Sequence, residues 1–280
     1  MNTPEIYSDG IIEAARFPIS MTHQLNGPAP ANAPFLARTV VVIPALNEAA
    51  CVAATVLYWR IRGAGVVRVV DNGSTDETAG RAAEAGADVS REPQRGYGAA
   101  AWTGTRALPA SIDWILFSSA DGSDRLDEVE SAAFQRAIDG GALLVLGERV
   151  TQEASRSRLT PLQRFGNALC CALIGLGWRK RFLDMASLRV IRRDAFERLA
   201  LRDRGFGWNA EMQVRAVELG LPMLEIPVAF HARMAGESKI SGNLAGVIRA
   251  GCGILAIVGK LYLGRPGRAH MPPVIERVRG

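Results

Sequence analysis

The stretch TVVVIPALNE, residues 39–48, opens with five β-branched residues and then turns polar after a proline. A continuous apolar run of this kind is typical of a strand that is covered on both faces, as in a parallel sheet with helices on each side. Asn47 and Glu48 would then follow the carboxyl end of the strand, which is where ligands bind in such sheets. This stretch therefore predicts the first strand of an α/β domain.

Strand and helix patterns alternate downstream of this stretch. A helix-compatible segment covers 49–62, and further strands are predicted at the following positions: 65–71, 87–92, 113–121 and 141–149. Strands that alternate with helices over short connections predict a Rossmann-like, mostly parallel sheet flanked by helices.

Polar clusters follow three of the predicted strands, at 44–48, 71–76 and 121–124. Because the carboxyl ends of parallel strands lie at one edge of the sheet, we expect the three clusters to share one site. Within the second cluster, Ser74 and Glu77 have the spacing of a capping box and predict the start of a helix.

The chain is predicted to have three parts. Residues 1–37 are interpreted as a leader or linker, because they lack the basic start and continuous apolar stretch of a secretory signal. Residues 38–243 would form the catalytic domain, and 244–280 an apolar helix and a tail. Only ten uncharged residues separate Arg249 from Lys260, whereas a helix needs roughly 20 to span a bilayer. We expect this helix to pack on the domain or on a second subunit, or to lie in a membrane interface.

The charge of the chain is concentrated in one region. Between Arg156 and Arg204, twelve Arg and Lys residues stand against four Asp and Glu residues, a local net charge of +8 compared with +5 for the whole chain. This region is either a solvated basic face or a surface for an anionic partner such as phosphate or a lipid headgroup. No nucleic-acid-binding motif accompanies it, so nucleic acid is not expected as a partner.

The cysteines and histidines do not have the spacing of a disulfide framework or a zinc site. They are Cys51, Cys170, Cys171, Cys252, His23, His231 and His270. We therefore expect a protein of the reducing cytoplasm, located in part at the inner face of the cytoplasmic membrane if its acceptor is a lipid.

Ordered motifs between residues 39 and 250 make the chain resemble the glycosyltransferase family 2 enzymes of GT-A fold. The resemblance is strongest to the bacterial branch similar to dolichyl- or polyprenyl-phosphate hexosyltransferases. The motifs are VVIPALNE, VVDNGSTDET, RGYGAAAWTG, SSADGSD, LGER, TPLQRFGN, LDMASLRVIRRDAF, RGFGWNAEMQVRAVELGLPMLEIPV and RMAGESKISG. The resemblance implies a nucleotide-diphospho-sugar transferase sheet with a C-terminal helical extension. It also implies a UDP- or GDP-sugar donor and a Mg²⁺ or Mn²⁺ ion.

The resemblance implies a nucleotide site built from several of these motifs. Its residues would be Pro44, Ala45, Glu48, Asp71, Gly96, Ser119, Arg149 and Ser238. In this interpretation Asp71 meets the base, Gly96 opens a helix that faces the nucleotide sugar, and Arg149 balances phosphate charge.

The sequence SSADGSD occupies the place of the family's D-x-D motif. Asp121 matches the second acid and is therefore the predicted metal ligand, whereas Ser119 replaces the first acid. Ser119 can still hydrogen-bond a ribose hydroxyl, but it carries no charge. Asp124 either compensates for the missing acid or, three residues after Asp121, points away.

Three further residues are implied in catalysis together with Asp121. Glu211 matches an acid close to the acceptor and would be a general base or a positioning group. Arg233 and Lys239 would clamp phosphate from a loop that folds over the donor. The predicted acceptor is polyprenyl phosphate or another small molecule.

Two departures from the family pattern leave the donor and acceptor contacts open. One is Ser119, and the other is Asp184-Met-Ala-Ser-Leu-Arg189, where the related branch commonly has an Asp-Leu-Gly-Pro-Phe-Arg type of sequence. The leading prediction is a metal-dependent, inverting hexosyltransferase. The alternatives are a catalytically impaired protein that binds nucleotide sugar or membrane, and a sugar-1-phosphate nucleotidyltransferase, whose Gly-rich basic loop is absent after the first strand.

Overall fold

The computed structural model describes residues 34–234 and 244–264, and this part of the chain contains one seven-stranded sheet. The strands are β1 (Thr39–Ala45), β2 (Val66–Asp71), β3 (Asp88–Arg91), β4 (Trp114–Phe117), β5 (Leu144–Glu148), β6 (Arg189–Arg192) and β7 (Met223–Pro227). The helices are α1 (Val52–Ile61), α2 (Thr78–Glu84), α3 (Tyr97–Gly104), α4 (Glu128–Asp139), α5 (Glu153–Arg156), α6 (Pro161–Trp178), α7 (Arg193–Leu199), α8 (Trp208–Glu218) and α9 (Leu244–Leu263). Phe35–Arg38 forms a 3-10 turn before β1.

The strands are arranged in the order β3-β2-β1-β4-β6-β5-β7. β6 runs antiparallel to its neighbours β4 and β5, and every other strand pair is parallel. The predicted mostly parallel α/β sheet is therefore confirmed. β6 and β7 were not predicted as strands.

β1 has a core on each of its two faces. Val40 and Val42 pack into a cluster with side chains of α3, α6 and α8, whereas Val41 and Ile43 pack into a second cluster with α1 and α4. All four side chains are fully buried. This alternation explains why the sequence of β1 is apolar at consecutive positions.

The register of the strands brings the three polar clusters to one edge. Ala45 at the end of β1 pairs with Asp71 at the end of β2, and Val42 pairs with Phe117 at the end of β4. β4 ends at Phe117, earlier than the predicted end at position 121, so Asp121 lies in the loop beyond the strand.

The predicted capping box at Ser74 and Glu77 is wrong. Helix α2 begins at Thr78, and its N-cap residue, Glu77, makes no capping hydrogen bond with its side chain. The Ser74 hydroxyl instead accepts a hydrogen bond from the Asn47 amide at 2.9 Å. The S-x-x-E spacing is that of a cap, but the Ser74 hydroxyl is used in a hydrogen bond between the loops after β1 and β2.

Helix α9 packs against α6 and α8. Val258 and Leu261 are buried there, and the Tyr262 ring lies edge-on to Trp178 with the ring centroids 4.9 Å apart. Among the helices of residues 34–234 and 244–264, none has the length and apolar content needed to cross a membrane.

The predicted domain boundaries stay predictions, because residues 1–33, 235–243 and 265–280 lie outside the described residues. Ser238 and Lys239, predicted to bind the donor, fall in one of these ranges. Phe35 and Leu36, which the sequence placed in the leader, are both buried.

Candidate functional site

The loops after β1 and β2 are fastened to each other. Asn47 has a left-handed backbone, with φ of 53°, a conformation that asparagine tolerates better than most residues. Its side-chain oxygen accepts from the Thr75 amide at 2.7 Å, and the Glu48 amide donates to the Thr78 hydroxyl at 2.8 Å. These bonds fix the backbone that presents the Glu48 carboxylate.

The predicted base-binding residues lie side by side on these two strands. Pro44 and Ala45 end β1, and Asp71 is the register partner of Ala45. Asp71 is buried, and one of its carboxylate oxygens accepts from the Ser74 amide at 2.9 Å. Their contacts with a base stay a prediction.

Gly96 and the start of α3 pack tightly against the segment before α8. Gly96 has φ of 148°, and a Cβ at this position would lie 2.1 Å from the Arg204 carbonyl oxygen. The amides of Gly98 and Ala99 donate to the carbonyls of Gly205 and Arg204, at 3.0 and 2.9 Å. Two amides at the predicted ligand-facing helix start are therefore already bonded within the protein.

A guanidinium group lies between two carboxylates at the centre of the edge. Arg233 donates to Asp121 at 2.7 Å and to both oxygens of Glu48 at 2.6 and 2.8 Å. The other oxygen of Asp121 accepts from the amide and the hydroxyl of Ser123, at 3.0 and 2.6 Å. Burial opposes the positive charge, yet Glu48 and Asp121 raise the pKa of Arg233 above its usual value.

The same two carboxylates test whether a divalent cation fits here. Within the described ranges, no three His, Cys, Asp or Glu side chains come together as a metal cage. However, Mg²⁺ is usually bound by one or two carboxylates, with water and substrate phosphates as its remaining ligands. Asp121 and Glu48 already converge on one positive group and are only 14% and 11% exposed. They fit such an ion.

Ser119, which replaces the first acid of the D-x-D motif, is bonded to Asp124. Its amide and hydroxyl donate to the same Asp124 oxygen, Oδ2, at 2.8 and 2.6 Å. The Ser187 hydroxyl donates to this oxygen as well, at 2.6 Å. Asp124 thus points back to Ser119. Ser119 and Ser187, which both depart from the family pattern, donate to the same carboxylate oxygen.

Arg149 forms a buried two-pronged ion pair with Asp184. Its Nε and Nη2 donate to the two carboxylate oxygens at 2.8 and 2.9 Å, and its guanidinium lies 5.0 Å from the centre of the Phe230 ring. Burial opposes the charge on Asp184, but Arg149 outweighs it and holds the pKa of Asp184 below its usual value. The predicted role of Arg149 toward phosphate stays a prediction.

Glu211, the predicted acceptor-side acid, lies in the first turn of α8 and is 2% exposed. Its Oε2 accepts from the amides of Arg202 and Asp203, at 3.0 and 2.7 Å. These two bonds hold the segment 202–205, whose carbonyls accept the hydrogen bonds from the start of α3. Its role in proton transfer stays a prediction, and the observed bonds favour positioning.

Two residues of this region were not found from the sequence. Ser187 contributes through its hydrogen bond to Asp124, 63 positions away in the chain, and Tyr97 packs against the hydrophobic core. Tyr97 is the clearest signal in retrospect, since it lies inside the quoted RGYG motif. Its hydroxyl is buried without a partner among the described residues, and burial raises its pKa to about 12.

Comparison with known proteins gives consistent results. Residues 40–200 match the family described as glycosyl transferase family 2. An uncharacterized glycosyltransferase of Mycobacterium tuberculosis is 35% identical over 210 residues, covering 75% of this chain and 93% of the relative. The polyprenol monophosphomannose synthase of Mycolicibacterium smegmatis is 29% identical over 225 residues, covering 74% and 82%.

A solved structure has the same fold at low sequence identity. The glucosyl-3-phosphoglycerate synthase of M. tuberculosis, in complex with Mn²⁺, UDP and phosphoglyceric acid, aligns with a TM-score of 0.61 and 18% identity. The alignment covers 82% of this chain and 80% of that one. The expected GT-A architecture is thereby confirmed.

Proposed function

Because the chain belongs to glycosyltransferase family 2, we propose that it transfers a hexose from a UDP- or GDP-sugar to polyprenyl phosphate, with a divalent cation and with inversion. The observation that carries this proposal is the convergence of Glu48, Asp121 and Arg233 at the carboxyl edge of β1 and β4. The name of the M. smegmatis relative supports a polyprenyl acceptor. The Mn²⁺ and UDP in the solved structure support the donor and the ion.

The reaction is a direct displacement: an oxygen of the lipid phosphate forms a bond to the anomeric carbon of the hexose while the bond from that carbon to the nucleoside diphosphate breaks. Negative charge then develops on the leaving phosphate, and fixed positive groups stabilise it. Arg233 supplies one such group. Asp121 and Glu48 would hold Mg²⁺ or Mn²⁺, which supplies Lewis-acid stabilisation of the same charge when it is bound.

A lipid phosphate acceptor is already ionised near neutral pH, so the attacking oxygen needs no general base. This agrees with the contacts of Glu211, whose Oε2 is taken by two backbone amides. We therefore assign Glu211 to holding the segment before α8.

Glu211→Gln should separate these two roles. Glutamine keeps an oxygen for the two amides, so we expect transfer within about threefold of wild type, whereas Glu211→Ala should lower the free energy of unfolding by about 1–3 kcal/mol. Steady-state assays and urea denaturation would measure the two effects. A loss of about 100-fold or more in Glu211→Gln, with unchanged stability, would instead identify a general base.

Helix α6 has an apolar stripe on its exposed side, which supports contact with a lipid surface. Its members recur every three or four residues, the spacing of one helix face. They are Leu162, Phe165, Leu169, Ala172 and Leu176. The exposed fractions of Leu162, Phe165 and Leu176 are 45%, 65% and 78%.

Exposed arginines lie near both ends of this helix. They are Arg158, Arg164, Arg179 and Arg181, and none forms an ion pair within residues 34–234 and 244–264. An apolar helix face with adjacent basic groups is suited to the surface of an anionic membrane, where it would bring the site to a lipid acceptor. We therefore propose that the predicted peripheral membrane contact is made by this face of α6.

Replacing Phe165 and Leu176 together by glutamate should weaken binding to vesicles of phosphatidylglycerol and phosphatidylcholine by about tenfold or more. A vesicle co-sedimentation assay would measure this. Val129→Glu, at a 74% exposed apolar side chain on α4, is the matched control and should bind as wild type does. Equal binding of all three proteins would argue against this surface.

The proposed function is tested by incubating the purified protein with UDP- and GDP-hexoses, undecaprenyl phosphate and MnCl₂. Mass spectrometry of the lipid fraction should show a hexosyl phospholipid, and EDTA should abolish it. Nucleotide binding without transfer to any acceptor would instead support the catalytically impaired alternative.

A further inference from the structure

The loop after β4 places the carboxylate of Asp124 next to Ser119, the position at which the D-x-D motif has lost its first acid. Asp124 is 3% exposed, and its Oδ2 accepts three hydrogen bonds, from the amide and hydroxyl of Ser119 and from the hydroxyl of Ser187. Gly122, with φ of 73°, lies within the loop that brings Asp124 back.

Asp124 has no oppositely charged partner within 4.0 Å among the described residues, and no group there donates to its second oxygen, Oδ1. Burial raises the pKa of Asp124, and the nearby charge of Arg149, which is itself paired with Asp184, only partly offsets this effect. A buried carboxylate without a direct ion pair is costly, so such a group is seldom kept for stability alone. Tyr97 and Arg189 are close enough to interact electrostatically with Asp124. Each has a buried polar atom without a partner, Oη of Tyr97 and Nε of Arg189.

The hydrogen bonds determine what Ser119 can offer a ligand. Its hydroxyl proton is directed at Asp124, 2.6 Å away. The hydroxyl oxygen of Ser187 lies 3.1 Å from the same Ser119 oxygen, but the Ser187 proton is also directed at Asp124, so a lone pair of the Ser119 oxygen is left to accept. A hydroxyl that donates to a carboxylate is polarised and becomes a better acceptor. Ser119 with Asp124 behind it can therefore accept a hydrogen bond from a sugar hydroxyl, as a carboxylate at position 119 would.

We propose that Asp124 is a positioning residue for the donor nucleotide: it orients and polarises Ser119 so that the serine oxygen accepts from a ribose hydroxyl. Ser187 fixes the Asp124 carboxylate from the other side, through its bond to Oδ2. This inference rests on the proposed function, since it assigns a contact to the donor of that reaction. The proposed role of Asp124 accounts for both serines, Ser119 and Ser187, because each hydroxyl donates to its carboxylate.

The test uses calorimetry with UDP and GDP in MnCl₂, continued with the 2′-deoxy and 3′-deoxy forms of whichever nucleotide the wild type binds more tightly. The wild type should prefer the full nucleotide over at least one deoxy form by about tenfold. Asp124→Asn keeps an oxygen for Ser119 and Ser187 but removes the charge. We expect it to bind about tenfold more weakly and to lose that preference.

Ser119→Asp combined with Asp124→Asn returns the carboxylate to position 119 and should restore both affinity and preference. Asp113→Asn makes the same change just before the opposite end of β4, where Asp113 pairs with Arg38, and should bind nucleotide as wild type does. If Asp124→Asn lowers the melting temperature but leaves the preference for ribose intact, Asp124 is structural and the proposal is wrong. If the wild type binds neither nucleotide, the proposed function fails and this proposal fails with it.

Discussion

Asp121→Asn should lower kcat for hexose transfer by about 10²–10³-fold, comparable with the loss of one preorganised group that stabilises transition-state charge. Asparagine is nearly the same size and can still accept from Ser123, so the loop after β4 should keep its shape. The negative charge that holds the cation and orients Arg233 is lost. Steady-state assays at saturating donor, with a Mn²⁺ titration, would measure the change.

Ser123→Ala provides the control for Asp121→Asn. It removes the 2.6 Å hydroxyl bond to Asp121 but leaves the carboxylate, so transfer should fall by no more than about tenfold. If Asp121→Asn were as active as wild type at every Mn²⁺ concentration, Asp121 could not be the residue that holds the ion.

Arg233→Ala should change metal binding and turnover in opposite directions. In the free protein Arg233 neutralises Glu48 and Asp121, at 2.6 and 2.7 Å. Without it the two carboxylates repel each other and attract a cation more strongly, so Mn²⁺ affinity in the absence of nucleotide should rise by about tenfold. Because the same guanidinium stabilises the leaving phosphate, kcat should fall by about 10²-fold.

Calorimetry with MnCl₂ alone and steady-state assays would measure the two effects separately. Arg125→Ala is the matched control, since Arg125 lies in the same loop as Asp121 but donates to the Gly122 carbonyl at 3.0 Å. It should change neither quantity by more than about threefold. Weaker Mn²⁺ binding in Arg233→Ala would show that the arginine does not compete with the ion.

The sequence predicted those strands of the sheet that are mostly apolar. β1 begins with an uninterrupted β-branched run, β5 is apolar up to its final glutamate, and β2 is apolar apart from Arg68 and Asp71. Their parallel arrangement follows from the intervening helices. β6 was not predicted, because its sequence, RVIR, begins and ends with arginine and has only two apolar residues between them. Arg189 is nevertheless fully buried, and a local pattern gives no sign of a charged side chain that will be buried.

The candidate site was predictable in its location but not in its contacts. The polar clusters after β1, β2 and β4 do share one edge, because strand polarity alone determines this. Arg233 lies between Glu48 and Asp121, which are 185 and 112 positions away in the chain. This placement depends on the path of the segment after β7, which the sequence does not predict. The direction of Asp124 likewise depends on the backbone around Gly122, which spacing does not determine.

The placement of β6 between β4 and β5 has a consequence for biosynthesis. When residues 114–148 have left the ribosome, β4 and β5 exist but cannot pair with each other, because the strand that joins them, Arg189–Arg192, is about forty residues later. Until that segment emerges, the nascent chain has an open strand edge on β4, which favours mispairing and aggregation. A nascent chain that has emerged only as far as positions 150–188 should therefore depend on chaperones, and emergence of residues 189–192 should relieve this dependence.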